Sequence, residues 1–212
     1  MDAAAHDHQL RVLLKKHLKH RITDGDRLVD EFQLAYGAVR ADLALINGHI
    51  EGFEIKAGKD TLTRLPSQVE AYDKVFEYSW VVTTAAHLAQ VRVLVPKEWG
   101  LMVARENSDG CALKAVRTAK RNRGRDAGHL ARLLWREELL TKLEELGLKG
   151  VKSKPKIALF GALVAAMPMD ELADYVRHCL KTRGGWRVDA EPHACGDSLR
   201  LDATESHCQD QP

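Results

Sequence analysis

No apolar run in this chain approaches the ~20 residues that a membrane-spanning helix needs, so none is expected. The opening residues, Met1-Asp-Ala-Ala-Ala-His-Asp-His8, carry neither the basic start nor the apolar stretch of a secretion signal. Cysteine is scarce: Cys111, Cys179, Cys195 and Cys208 are scattered without C-x-x-C spacing. That distribution argues against a disulfide framework and for reduced thiols in a cytoplasmic protein. His193-Ala194-Cys195 and His207-Cys208 sit in a polar stretch without a fold pattern, and read as tail rather than as a metal site. There is no G-x(4)-G-K-[ST] phosphate loop, so any ATP-driven step would need a partner. Internal repeats are absent. Neither sign of charge dominates, since 32 Lys and Arg stand against 30 Asp and Glu. With 45% apolar and 29% charged residues over 212 positions, the chain suits one sizeable domain, or a core with an extension.

What is present is concentrated between residues 39 and 56. Val39, Ala41, Leu43 and Leu45 alternate with Arg40, Asp42, Ala44 and Ile46, which is the period of a strand. Asn47-Gly48 is a hairpin turn signal, because both residues tolerate positive φ. In the returning strand Ile50, Gly52, Glu54 and Lys56 share a face, while Phe53 and Ile55 point the other way. Glu54 and Lys56 thus stand about 7 Å apart along one face. If the register carries Asp42 to that face, two carboxylates and a lysine converge. Those are the parts of a site for metal-assisted phosphodiester hydrolysis. Mg²⁺ takes oxygen ligands from one or two carboxylates and the substrate phosphate, and a lysine can align the attacking water. The alternative is an exposed strand face with ordinary charges. Leu45, Phe53 and Ile55 argue against it, since they imply burial, and a buried acid needs a partner or a metal.

These residues resemble the core of the PD-(D/E)xK, or restriction-endonuclease-like, nucleases. The flanks narrow the likeness. Arg40-Ala41-Asp42, Gly52-Phe53-Glu54-Ile55-Lys56, Asp60-Thr61-Leu62, Arg64-Leu65 and Gln68-Val69-Glu70-Ala71-Tyr72 together resemble the sce7726 family of that superfamily. The likeness continues through His87-Leu88 and Trp99-Gly100 and, more loosely, Leu133-Leu-Trp-Arg-Glu137, covering roughly residues 10 to 183. Ala57 departs from it, where a serine is expected, and touches no catalytic role. The resemblance implies that Asp42 and Glu54 hold Mg²⁺ or Mn²⁺, with the carbonyl of Ile55 as a further ligand, and that Lys56 positions the water. It implies that Gln68 and Tyr72, one turn apart on the next helix, face the site. Glu31 is a further candidate metal ligand, expected at the end of the first helix, with Asp30 beside it. The implied activity is nucleolytic, on DNA in the first instance, and cleavage of both strands would favour a homodimer. No separate target-recognition module is visible, which lowers the case for site-specific restriction. The competing reading is a non-catalytic subunit that binds nucleic acid or protein on the same fold.

Charge is uneven. Between Lys114 and Arg136 there are eight bases and one acid, a local charge of +7. Lys120, Arg121, Arg123 and Arg125 are therefore expected to contact a phosphate backbone, with Arg40 and Arg64 nearer the hairpin; a solvated linker is the other reading.

The expected order is a helix over 8–34, broken near Asp24-Gly25, strands over 39–46 and 50–57, and a helix over 66–77. A strand from Ser79 to Thr84, a helix from Ala85 to Leu94 and a strand from Gly100 to Ala104 follow. This αββαβαβ order suits the α/β, restriction-endonuclease-like core that the resemblance implies, a mixed sheet flanked by helices. The core is expected over 1–110 and a basic linker over 111–126. A helical extension over 127–187 follows, with helices from Ala127 to Leu146, Ser153 to Ala166 and Met169 to Thr182, which pack on the core or form a lid. From 188 to 212 a polar, disordered tail is expected.

Overall fold

The structure is a computed structural model and describes residues 3–34, 37–58, 60–107 and 110–184. The polar tail expected from residue 188, with Cys195 and Cys208, lies outside the described residues. Helix α1 (Ala3–Leu18) sets Leu10, Leu14 and Leu18 one turn apart on a single stripe, and all three are buried. A 3₁₀ turn, Lys19–Arg21, ends it. Thr23 and Asp26 then close a turn around Gly25, whose φ of 79° suits glycine.

Here the chain departs from expectation. The helix anticipated as far as residue 34 gives way to strand β1 (Arg27–Leu34). The reason is visible in the burial. Val29, Phe32 and Leu34 are the inward residues, and the strict alternation is interrupted at Glu31, whose φ is 51°. That slip leaves Leu28, Val29 and Phe32 at spacings that mimic a helix.

Strands β2 (Val39–Ile46) and β3 (Ile50–Lys56) form the anticipated hairpin. Helix α2 (Leu65–Asp73), with Pro66 in its first turn, leads to β4 (Tyr78–Thr83). Helix α3 (Leu88–Leu94) leads to β5 (Gly100–Asn107), and β6 (Gly110–Arg117) turns back against it. Residues 111–117 are therefore an edge strand and not linker. All six strands lie in one sheet in chain order, β1 to β6. The pairs β1/β2, β2/β3 and β5/β6 are antiparallel, while β3/β4 and β4/β5 are parallel. The sheet is mixed because only the β3–α2–β4 and β4–α3–β5 connections are long enough to cross over.

Both faces are covered. On one, α1 packs on Leu43, Leu45, Phe53, Ile55, Trp80 and Val82. On the other, α2 and α3 share a core with Phe32, Ala44, Ile46 and Val81. Every residue of β3 is buried, as a central strand requires. Gly52 is needed there, since a Cβ would lie 2.4 Å from the Phe76 ring.

Four helices follow: α4 (Ala127–Ala131), α5 (Arg136–Glu145), α6 (Lys156–Ala166) and α7 (Met169–Thr182). They join the α2 side of the core through Leu130, Leu139, Leu159, Leu163 and Val176. The single helix expected from Ala127 to Leu146 is two. The chain turns extended at Trp135, whose N–H donates to the Glu138 carboxylate at 2.6 Å. The Arg183 guanidinium lies 4.2 Å over the Trp135 ring and anchors the end of α7 there. Among the described residues no helix is long and apolar enough to cross a membrane.

Candidate active site

The β2/β3 ladder stops at Leu43↔Phe53. Beyond it the two strands part, and their backbone groups must find other partners. Asp42 supplies one. Its Oδ2 accepts the Ile55 N–H at 2.7 Å, so a side chain replaces a rung of the sheet. The Asp42 carbonyl and Oδ1 in turn accept from Arg11 of α1, at 2.7 and 2.9 Å.

Continuing the register sets Asp42 opposite Glu54 on the α2 face of the sheet. Glu54 is almost wholly buried and is held from three directions. Lys56 Nζ donates to its Oε1 at 2.7 Å, Gln68 Nε2 to the same oxygen at 2.6 Å, and the Tyr72 hydroxyl to Oε2 at 2.6 Å. Gln68 and Tyr72 sit one turn apart on α2, so one helix face presents an amide and a phenol to one carboxylate. The Tyr72 ring is fixed between Phe76 and Trp99, at centroid distances of 4.8 and 5.2 Å.

The electrostatics are unbalanced. Burial, and then the charge of Asp42, push the Glu54 carboxyl above its ordinary range, and the single cation Lys56 opposes them. Burial also pushes the Tyr72 phenol well above its ordinary value, with Glu54 adding to the effect, so Tyr72 stays a donor. Asp7 on α1 is likewise raised, by burial and by Asp42.

Asp7, Asp42, Glu54, Lys56 and Gln68 line a polar cleft of about 650 Å³. Asp7, Glu31, Asp42, Glu54 and Asp60 bring negative charge to it, and Arg40, Lys56 and Arg64 bring positive charge. Of the residues expected at the site, Asp42, Glu54, Ile55, Lys56, Gln68 and Tyr72 come together. Glu31 also reaches the cleft, but from β1 and not from a helix end. It faces Asp42 across the β1/β2 ladder, between Asp30↔Leu43 and Phe32↔Ala41. Its carboxylate pairs with Arg11 at 3.1 Å and with Arg40 at 3.3 Å. Asp30 is drawn away by Lys15 at 2.6 Å.

Arg40 and Arg64 border the cleft, but the basic cluster after β6 does not. Arg121 pairs with the buried Glu77 at 3.2 Å. The Arg125 side chain is itself 5% exposed and lies 3.6 Å from the same carboxylate. Lys120 borders a separate hollow with Asp73, Ser79 and Trp99, and Arg123 is exposed without lining the cleft. Of the four residues expected to contact a phosphate backbone, Arg121 and Arg125 pair with a buried acid, and none lines the cleft. Sequence reasoning missed Arg11 and Asp7. Their signal was the i, i+4 spacing of Asp7, Arg11 and Lys15 on α1.

The donor set fits a hard divalent cation. Among the described residues no group of three or more His, Cys, Asp or Glu is placed to hold a metal ion. Mg²⁺ does not require one, because it keeps waters and substrate oxygens among its ligands. Asp42, Glu54 and the Ile55 carbonyl offer oxygen ligands only. Gln68 Oε1 is buried and has no donor, although the amide nitrogen of the same side chain is bonded to Glu54. An orphaned acceptor beside a carboxylate short of positive charge suits a cation or a water bound to one.

Fold and cleft together define an α/β protein of one six-stranded mixed sheet, with an acid, acid and lysine site where its central hairpin splays. Residues 3–189 match the family of bacteriophage P4 protein cII, and the chain belongs to that family. It is 24% identical to protein cII of Enterobacteria phage P4 over 161 residues, which are 74% of this chain and 59% of that protein. The chain thus spans well under two thirds of that relative. Among solved structures it is similar to the SPO1766 protein of unknown function from Silicibacter pomeroyi. The TM-score is 0.42 at 21% identity, over 66% of this chain and 93% of the other.

Proposed function

We propose that this protein is a metal-dependent nuclease of the PD-(D/E)xK kind, hydrolysing phosphodiester bonds in DNA with Mg²⁺ or Mn²⁺. One observation carries the reading: Asp42, Glu54, Lys56 and Gln68 line one polar cleft where β2 and β3 part, with Tyr72 bonded to Glu54 from behind. Bound there, the metal would polarise the scissile phosphate and lower the pKa of a coordinated water. Asp42 and Glu54 would hold it with the Ile55 carbonyl. Lys56, anchored on Glu54, would align the attacking water and offset phosphate charge. Tyr72 and Gln68 keep Glu54 in one orientation, which matters because small misplacements of reacting groups are costly. Arg40 and Arg64 at the rim would receive the flanking phosphates.

The experiment is cleavage of supercoiled, linear and single-stranded DNA with Mg²⁺ or Mn²⁺ by wild type and Lys56→Ala. Metal-dependent cutting is expected from the wild type and a loss of about a hundredfold or more from the variant, with DNA binding retained. Equal cutting by both proteins would remove Lys56 from the mechanism. DNA binding without cutting by either would favour a non-catalytic binding subunit.

A further inference from the structure

Arg11 holds a position that the nuclease reading leaves unexplained. It comes from α1, which packs on the opposite face of the sheet, and reaches Asp42 where the β2/β3 ladder ends. Its guanidinium donates to both the Asp42 carbonyl and Oδ1, and pairs with Glu31 at 3.1 Å and Asp30 at 3.4 Å. It is thus the counter-ion of the acid that would receive the metal. The strained, left-handed backbone of Glu31 is at this same contact. Strain of that kind persists only where the surroundings enforce it, and it gathers at functional sites.

We propose that Arg11 is a resident cation that keeps the divalent ion off Asp42 until a substrate phosphate draws it away, so that metal loading is gated by substrate. This rests on the nuclease reading. Arg11 occupies Oδ1 directly, and its positive charge lies against the position that a second, doubly charged cation would take. A guanidinium binds phosphate in the same forked geometry as carboxylate, so a phosphodiester in the cleft is a matched alternative partner. Moving Arg11 from carboxylate to phosphate frees Oδ1 and removes a like charge in one step. By linkage, metal must then raise DNA affinity by the factor by which DNA raises metal affinity.

The test is calorimetric titration of Mn²⁺ into the full chain, with and without a short phosphorothioate DNA strand, for wild type, R11Q, R11K and E54Q. Wild type is expected to take up Mn²⁺ at least tenfold more tightly with the DNA present. R11Q should bind tightly without DNA and show no further gain from it, and R11K should fall between. The melting temperature of metal-free R11Q should drop and recover with Mn²⁺. Wild-type uptake that is indifferent to DNA overturns the gate without recourse to any variant. Uptake that is lost in E54Q but unchanged or weaker in R11Q overturns the role of Arg11 and leaves the metal site standing. No uptake by wild type or R11Q, even with DNA, overturns the metal site and the nuclease reading with it.

Discussion

Glu54 and Glu77 are both buried acids of the same sheet region, and their surroundings are opposites. Glu77 is fully covered and lies among Arg177 at 2.8 Å, Arg121 at 3.2 Å, His49 at 3.4 Å and Arg125 at 3.6 Å. Burial would push its carboxyl up, but Arg125, Arg177, His49 and Arg121 outweigh burial and hold it below the ordinary range. Glu54 has one lysine, an amide and a phenol, faces Asp42, and is held above the ordinary range. An acid oversupplied with cations is a fixture that ties β4, the segment after β6 and α7 together. An acid left short of positive charge is, on the proposed reading, the one that would receive a cation. The arginines conspicuous in the sequence, Arg121 and Arg125, belong to the fixture.

The largest contrast is expected in activity. Glu54→Gln should abolish metal-dependent cleavage, while Glu77→Gln should keep it at temperatures where the variant is folded; a plasmid-nicking assay decides. A Glu77 variant that is folded but inactive would break the distinction.

Stability should reverse the ranking. Glu77→Gln leaves arginines facing no charge and should cost about 3–5 kcal/mol. Glu54→Gln relieves repulsion from Asp42 but leaves the buried Lys56 ammonium without its carboxylate, and the two effects oppose each other, so a smaller loss of about 1–2 kcal/mol is expected. Urea unfolding of the three proteins measures both, and equal losses would mean that the two acids are equivalent fixtures.

The smallest effect is the slope of stability with pH. A depressed carboxyl stabilises the fold above the ordinary carboxylate range and loses that contribution as pH falls through its lowered value. Glu77→Gln should therefore flatten the acid limb. A raised carboxyl does the opposite: its contribution is complete below the ordinary range and is lost as pH rises through the raised value. Glu54→Gln should flatten that descent. Chemical unfolding across the acid and near-neutral range reads both slopes.

Much of the centre of the molecule was legible in the residues. Alternation on either side of Asn47-Gly48 fixes the hairpin, and the identities of Asp42, Glu54, Lys56, Gln68 and Tyr72 name the cleft, because that part of the site is local in sequence. The edges were harder. Strand β1 hid behind a helical spacing created by the backbone slip at Glu31. Strand β6 hid behind Lys114 and Arg117, charges that protect an edge strand from pairing with other chains but read as linker. The pairing of Arg121 and Arg125 with Glu77 was not legible, because Glu77 is distant in sequence and its burial is invisible there. Arg11 was missed because its carboxylate partners lie on two strands that only the fold brings to α1.

The strict chain order of the six strands bears on how the molecule assembles. Each strand pairs with the one made just before it, through tight turns in the antiparallel pairs and through a single helix in the two parallel ones, so no step of sheet growth has to close a loop longer than one crossover. The hairpin and α2 hold the acids, the lysine, the amide and the phenol within one contiguous stretch, which can form before the rest of the chain has been synthesised. Helix α7 is the exception: Arg177 returns to Glu77, and Lys181 to Asp26 at 2.8 Å. It is a clasp, which ties the last described helix back to the turn before β1 and to the start of β4.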